Sequence, residues 1–204
     1  MMSDQEQLEL LKVWWEKYGG YLVGGLAIVL LGLAIWYGQS RYYQNKQERM
    51  SADYSQLLDK YATHQQEEGL VLAKRLIQDY PRSIYASFAA LLLAKDDLER
   101  GELANAVTHL HFMVKNAPTK QLKQLARLRE ARVLLALGQY EESLNLLSAV
   151  DEQSGVAEVY ELTGDVLTKL DRLVEARAAY EKAEKLLEKN SLVSPLLKFK
   201  LQHI

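Results

Sequence analysis

From Tyr18 to Ser40 the chain carries no charged residue. The run reads Tyr18-Gly-Gly-Tyr-Leu-Val-Gly-Gly-Leu-Ala-Ile-Val-Leu-Leu-Gly-Leu-Ala-Ile-Trp-Tyr-Gly-Gln-Ser40. As a helix rising about 1.5 Å per residue it would reach about 34 Å, enough for a hydrocarbon core of about 30 Å. A helix satisfies its own backbone hydrogen bonds, as lipid demands. Tyr18 and Tyr21 at one end, and Trp36, Tyr37, Tyr42 and Tyr43 at the other, fit the two membrane–water interfaces. The stretch is longer than the apolar part of a signal peptide, and no Ala-x-Ala site follows it. The expectation is an uncleaved signal-anchor over residues 18–40.

Small residues recur along one side of this helix. Gly20, Gly24, Ala27, Leu31, Ala34 and Gly38 form one stripe, and Gly20-x-x-x-Gly24 permits close backbone approach. Gly20, Gly24, Ala27, Leu31 and Ala34 are therefore candidates for docking another membrane helix. Residues 1–17 form a short tail with Leu8, Leu11 and Trp15 on one face and a capping pattern at Ser3-x-x-Glu6. It reads either as an interfacial amphipathic helix or as an extension of the membrane helix. Lys12 and Lys17 precede the span while Arg41, Lys46 and Arg49 follow it, so basic residues do not orient it.

The remaining residues, 41–204, are helical in composition. Three prolines and eleven glycines punctuate 204 residues, too few for a sandwich or barrel of many short strands. They also repeat. Ala131, Leu134, Gly138, Tyr140, Ser143, Leu147 and Val150 match Gly164, Leu167, Asp171, Leu173, Ala176, Tyr180 and Ala183, each 33 residues on. A third copy lies 37 residues upstream with Ala94, Gly101, Leu103, Ala106, Leu110 and Met113. Its second apolar position is Asp97. This is the tetratricopeptide pattern of a helix, a turn at Gly or Asp, and a second helix. Small Ala94, Ala106, Ala131, Ser143, Gly164 and Ala176 let paired helices approach. Gly101, Gly138 and Asp171 mark the turns, while bulky Tyr140, Leu147, Leu173 and Tyr180 are expected to fill the space between pairs, and Ala183 ends the matched pattern. A degenerate pair precedes these, with Met50, Tyr54, Leu57, Leu58 and Tyr61 on one apolar face and Leu70, Ala73, Leu76 and Ile77 on the next. Pro195 opens a terminal helix expected to cap the stack. The fold class is thus all-α: one membrane helix, then an α-solenoid of antiparallel pairs.

Chemistry is not evident. No cysteine is present, which removes disulfides, thiolate zinc sites and a Cys nucleophile. His109-Leu-His111 is spaced i,i+2, which sends the rings to different helix faces, whereas a shared metal wants i,i+3 or i,i+4. Asp96-Asp97 and Glu141-Glu142 read as solvated surface pairs. No phosphate loop or nucleophile elbow occurs, so no catalytic residue, metal, cofactor or small-molecule substrate is expected. Twenty-five Lys+Arg against 27 Asp+Glu argue against nucleic-acid binding. The charges are nonetheless segregated. Lys115, Lys120, Lys123, Arg127, Arg129 and Arg132 cluster, as do Glu141, Glu142, Asp151, Glu152, Glu158, Glu161 and Asp165. Lys120, Lys123 and Arg127 form a candidate patch for a partner or for lipid head groups. By repeat position, Ala90, Arg127 and Tyr160 mark the helix faces that a bound segment would meet.

Several local features resemble the YfgM-type family, the ancillary subunits of the bacterial SecYEG translocon. They are Trp14-Trp15-Glu16-Lys17-Tyr18-Gly19 before the anchor, Trp36-Tyr37 at its exit, and Leu128-Arg129-x-Ala131-Arg132-Val133. Leu162-x-Gly164-Asp165, Ala176-Arg177-x-Ala179-Tyr180-x-Lys182-Ala183 and the ending Ser194-Pro195 to Ile204 continue the match. The resemblance implies a single-pass bacterial inner-membrane protein with a cytoplasmic N-terminus and a periplasmic repeat domain. It also implies association with the SecYEG translocon and with a membrane-anchored periplasmic folding factor of the peptidyl-prolyl isomerase type. The implied role is to help exported proteins reach periplasmic chaperones. The same anchor and repeats would also serve a scaffold for another envelope assembly machine, or a regulator acting through its tail.

Overall fold

The computed structural model describes residues 4–150, 157–189 and 191–204, and these contain helices and no strand. Ser3 of the expected capping pattern, Asp151 and Glu152 of the acidic run, and Asn190 lie outside the described residues. The chain divides into two compact units, residues 1–49 and 50–204. The sequence places the start of the repeat domain at residue 41, nine residues earlier. Helix α1 (Asp4–Ala62) contributes to both units. It is helical from Asp4 without a break, which favours the extension over a separate interfacial helix.

In the first unit, Trp14–Gln39 is long and apolar enough to cross a membrane, with a mean hydropathy of 2.0. Its ends carry aromatic–cation pairs. Lys17 lies over the Tyr18 ring at 5.5 Å, and Arg41 over Tyr37 at 5.4 Å. Trp15 folds back over Gly19. Methyl groups added at Gly20, Gly24, Gly25, Gly32 or Gly38 would meet nothing within 4 Å, and Leu31 and Ala34 are exposed.

The second unit is a stack of helix pairs. After the end of α1 come α2 (Gln66–Asp79), α3 (Ile84–Glu99), α4 (Leu103–Asn116), α5 (Lys120–Ala136), α6 (Tyr140–Ser148), α7 (Ala157–Lys169), α8 (Leu173–Lys189) and α9 (Pro195–Gln202). Four A→B turns join α1 to α2, α3 to α4, α5 to α6 and α7 to α8. Each closes on one left-handed residue: His64 (φ 58°), Gly101 (76°), Gly138 (78°) and Asp171 (58°). The next N–H donates five residues back, from Gln65 to Lys60, Glu102 to Asp97, Gln139 to Leu134 and Arg172 to Leu167, at 2.7–2.9 Å. This is the Schellman closure, which satisfies helix-end carbonyls. Ser191 (φ 57°) ends α8 the same way, through Leu192 N–H to Leu187. The B→A connections after α2 and α4 instead run into Pro81 and Pro118, which cannot continue a helix. Ser83, Thr119 and Ser194 then cap α3, α5 and α9 by accepting from the third residue on.

The core follows the repeat. Ala106, Ala131, Ser143, Ala176 and Ala183 are fully buried. Small side chains here let helices pack at contact distance. Ser143 Oγ, lacking any route to water, donates to the Ala131 carbonyl at 2.7 Å. Three expectations are corrected. Leu58 and Leu173 are 45% and 43% exposed. Leu173 is the first residue of α8, and burial on that helix begins only at Ala176. Asp96 and Asp97 are not surface-solvated but buried on α3, where side chains from neighbouring elements supply partners.

Candidate functional site

A cavity of about 350 Å³ lies between α6 and α8 with α7 as its floor. Leu144 and Leu147 of α6, Val159, Tyr160, Thr163 and Leu167 of α7, and Ala178 and Ala179 of α8 line it. Exposed Glu175 and Lys182 add one charge of each sign, and Lys182 Nζ sits 5.4 Å from the centre of the Tyr160 ring. A cavity of this size with an apolar floor and few polar groups suits one or two bulky apolar side chains.

A second cavity of about 320 Å³ occupies the equivalent place two pairs earlier, between α2 and α4 over α3. By repeat register Leu167 corresponds to Asp97, and Ala179 to His109. The same groove has thus been made ionic. His109 Nε2 lies 3.5 Å from Asp97 Oδ2, and Arg100 pairs with both Asp96 and Asp97. Gln66 Nε2 donates to Asp96 Oδ1 at 2.8 Å. Burial pushes the Asp97 carboxyl above its ordinary pKa and holds the His109 imidazole below its own. The neighbouring His111 turns the other way, to Glu130 of α5, with Nδ1 to Oε1 at 3.0 Å. Glu130 is also buried, which raises its pKa. The i,i+2 spacing therefore sends the two imidazoles to carboxylates on opposite neighbours, α3 and α5. Among the described residues no group of three His, Cys, Asp or Glu could hold a metal ion.

The structure distributes the other expected residues as follows. Tyr160 lines the apolar cavity. Ala90 does not reach any surface; it is fully buried with Met113, Ala117 and Ala126. Lys120, Lys123 and Arg127 share α5, but Arg127 Nη1 donates to the Ala149 carbonyl at the end of α6, at 3.2 Å. Arg132 pairs with Glu158 across to α7, so part of the basic cluster is matched by the acidic one. Ala94 is buried and Tyr140 half-buried. Gly164 lies under the Tyr180 ring. Of the proposed docking stripe, Gly20, Gly24, Leu31 and Ala34 are exposed, and the side chain of Ala27 lies outside what is described. The second cavity was missed in the sequence. Its signal was Asp97 standing where the other repeats carry leucine.

The α9 helix closes the stack. Leu197, Leu201 and Ile204 pack against α7 and α8. Lys200 Nζ reaches Glu161 Oε1 and Asp165 Oδ1, both at 2.7 Å, and Arg177 binds the Ile204 carbonyl oxygen.

The chain aligns over most or all of its length with several proteins called ancillary SecYEG translocon subunit. It is 28% identical to the one from Neisseria gonorrhoeae, covering 100% of this chain and 98% of the relative. Identity is 27% to that of Aggregatibacter actinomycetemcomitans (90% and 89%) and 25% to that of Escherichia coli (88% and 86%). Among solved structures, a MamA double mutant (MamA RS-1 ArsTM) superposes with a TM-score of 0.55 at 22% identity, over 67% of this chain and 74% of that one. That likeness concerns the helical-repeat fold. A family model described as a tetratricopeptide repeat-like domain matches residues 12–204, and the chain belongs to that family.

Proposed function

We propose that this chain is a non-enzymatic accessory subunit of the bacterial Sec translocon. The observation that carries the reading is the near end-to-end alignment with ancillary SecYEG translocon subunits. The apolar segment Trp14–Gln39 supplies the anchor such a role needs, with residues 1–17 cytoplasmic, 18–40 spanning the inner membrane and 41–204 periplasmic. Gly20 and Gly24 offer a backbone face on which a second membrane helix could lie closely. The apolar groove over α7 takes a bulky side chain of an exported protein or of a membrane-anchored folding factor, which links export to periplasmic chaperones. Lys120, Lys123 and Arg127 would add steering toward an acidic partner surface or lipid head groups.

Photo-crosslinking in cells from positions 24 and 27, with mass spectrometry of the adducts, tests the anchor. Adducts to the translocon channel are the expected result. Adducts confined to a different envelope assembly would transfer the function there. Crosslinking from position 163, inside the groove, separately tests its occupant. Adducts to exported proteins or to a folding factor are expected, and their persistence in Leu144→Asp would remove the groove from the proposal.

A further inference from the structure

A solenoid end ordinarily turns a polar face to solvent. The inner face of α9 buries Leu197 and Leu201 against α7 and α8, yet its outer face is apolar as well. Lys200 points inward to Glu161 and Asp165, while Leu196 and Phe199 point outward and are 59% and 56% exposed. Leu192 and Val193, just before the helix, are 56% and 68% exposed. Phe199 is held in place by the His203 ring, with centroids 4.0 Å apart. Four bulky apolar side chains on a short terminal segment exceed what a solvated cap needs.

The segment that carries this patch has no acidic residue. Residues 191–204 contain Lys198, Lys200 and His203 but no Asp or Glu. Lys198 and Lys189 are exposed, and the nearest acidic residue along the chain is Glu188 on α8. The carboxylates that Lys200 engages lie on the inner side of α9. Exposed leucine, valine and phenylalanine among exposed lysines are the chemistry of a surface that enters an anionic lipid interface. Alone, so small a patch would bind a bilayer weakly. A chain anchored in that bilayer meets it at a high effective concentration, so weak affinity suffices.

We propose that the outer face of α9, with Leu192, Val193, Leu196 and Phe199 as its apolar contacts and Lys189 and Lys198 as its cations, docks on an anionic bilayer surface. The inference rests on Trp14–Gln39 being a membrane anchor. The chain has no cysteine, so a single introduced one labels cleanly. Full-length Val193→Cys carrying bimane is placed in nanodiscs of phosphatidylcholine with or without phosphatidylglycerol, with brominated acyl chains as quencher. A parallel Tyr37→Cys label reports on the anchor. Quenching of the position-193 label by at least about twofold, dependent on phosphatidylglycerol and abolished by Leu196→Asp/Phe199→Asp, supports the proposal. Both of these side chains are exposed, so an unchanged thermal midpoint verifies that the double variant folds. No quenching at position 193 while position 37 is quenched overturns the proposal and leaves the anchor standing. No quenching at either position overturns both. A position-193 label shielded only when two chains share a disc assigns the face to a second copy and likewise overturns it.

Discussion

The phenol ring of Tyr180, on α8, covers Gly164, on α7, so closely that a methyl group on residue 164 would fall inside the ring's van der Waals envelope. The ring cannot swing away freely. Its hydroxyl donates to Asp165 Oδ1 at 2.8 Å, and burial raises its pKa to about 12. Gly164→Ala should therefore destabilise the repeat domain by about 2 kcal/mol, the scale of core overpacking, despite alanine's better helix propensity. In a Tyr180→Ala background the obstruction is gone. The same substitution should then stabilise by about 1 kcal/mol, the Gly–Ala helix difference. Urea unfolding of the four proteins in the cycle measures both signs.

The turn residues differ in a way that urea titration can also read. Gly101 and Gly138 hold φ near +76° and +78°, where a Cβ costs roughly 1–2 kcal/mol. Gly138→Ala should lose about that much. Asp171 already carries a Cβ at φ +58°. Asp171→Gly should be close to neutral or gain about 0.5 kcal/mol, because relief of the left-handed strain offsets the added freedom of the unfolded chain.

The ionic groove over α3 invites conversion back to the apolar chemistry of its sister. His109→Ala alone leaves the Asp97 carboxyl buried with Arg100 as its remaining partner and should cost about 2 kcal/mol. Asp97→Leu/His109→Ala restores the residue types found at 167 and 179. It should recover that loss and add about 1 kcal/mol or more, as buried ion pairs replaced by fitted apolar groups do. A double variant weaker than the single would refute the equivalence of the two grooves.

Glu130 predicts a pH dependence. Burial raises its pKa in the folded state, with His111 and Lys115 opposing. A carboxyl raised in this way contributes stability that is full below its unfolded value, about 4.3, and is lost as pH rises through the folded value. Glu130→Gln removes that loss. The stability of the variant minus that of the wild type should therefore rise from pH 4 to pH 7, read as the difference in urea midpoints. A flat difference would place the Glu130 pKa at its ordinary value.

Much of the architecture was readable because it is written locally. Ala131 and Gly164, and Ser143 and Ala176, recur at fixed spacing, since each sits where two helices touch, and Gly101, Gly138 and Asp171 recur because the chain must reverse there. His64 belongs to the same series, 37 residues before Gly101, but histidine is common in every other setting, so it marks a turn far less clearly than glycine does. What depended on distant partners was not legible. Asp97 looked like surface because the imidazole packed against it, His109, comes from the next helix. His109 and His111 looked idle because their carboxylates lie on α3 and α5. Ala90 has the same residue type as an accessible small position and differs only in what is packed over it. The groove over α7 was half visible: Tyr160 was identifiable by repeat position, but the gap between α6 and α8 was not.

The Schellman closures make each hairpin self-sealing. The backbone bond that ends every A helix is made within six residues, so no hairpin needs its neighbour to set its phase. Left-handed residues follow one another at 37, 37 and 33 positions, yet the pairs still stack. The nine-residue α6 sits between pairs whose second helices have 14 and 17 residues. A chain built this way can shed a helical turn from one repeat without re-indexing the rest, so its grooves can be resized one at a time.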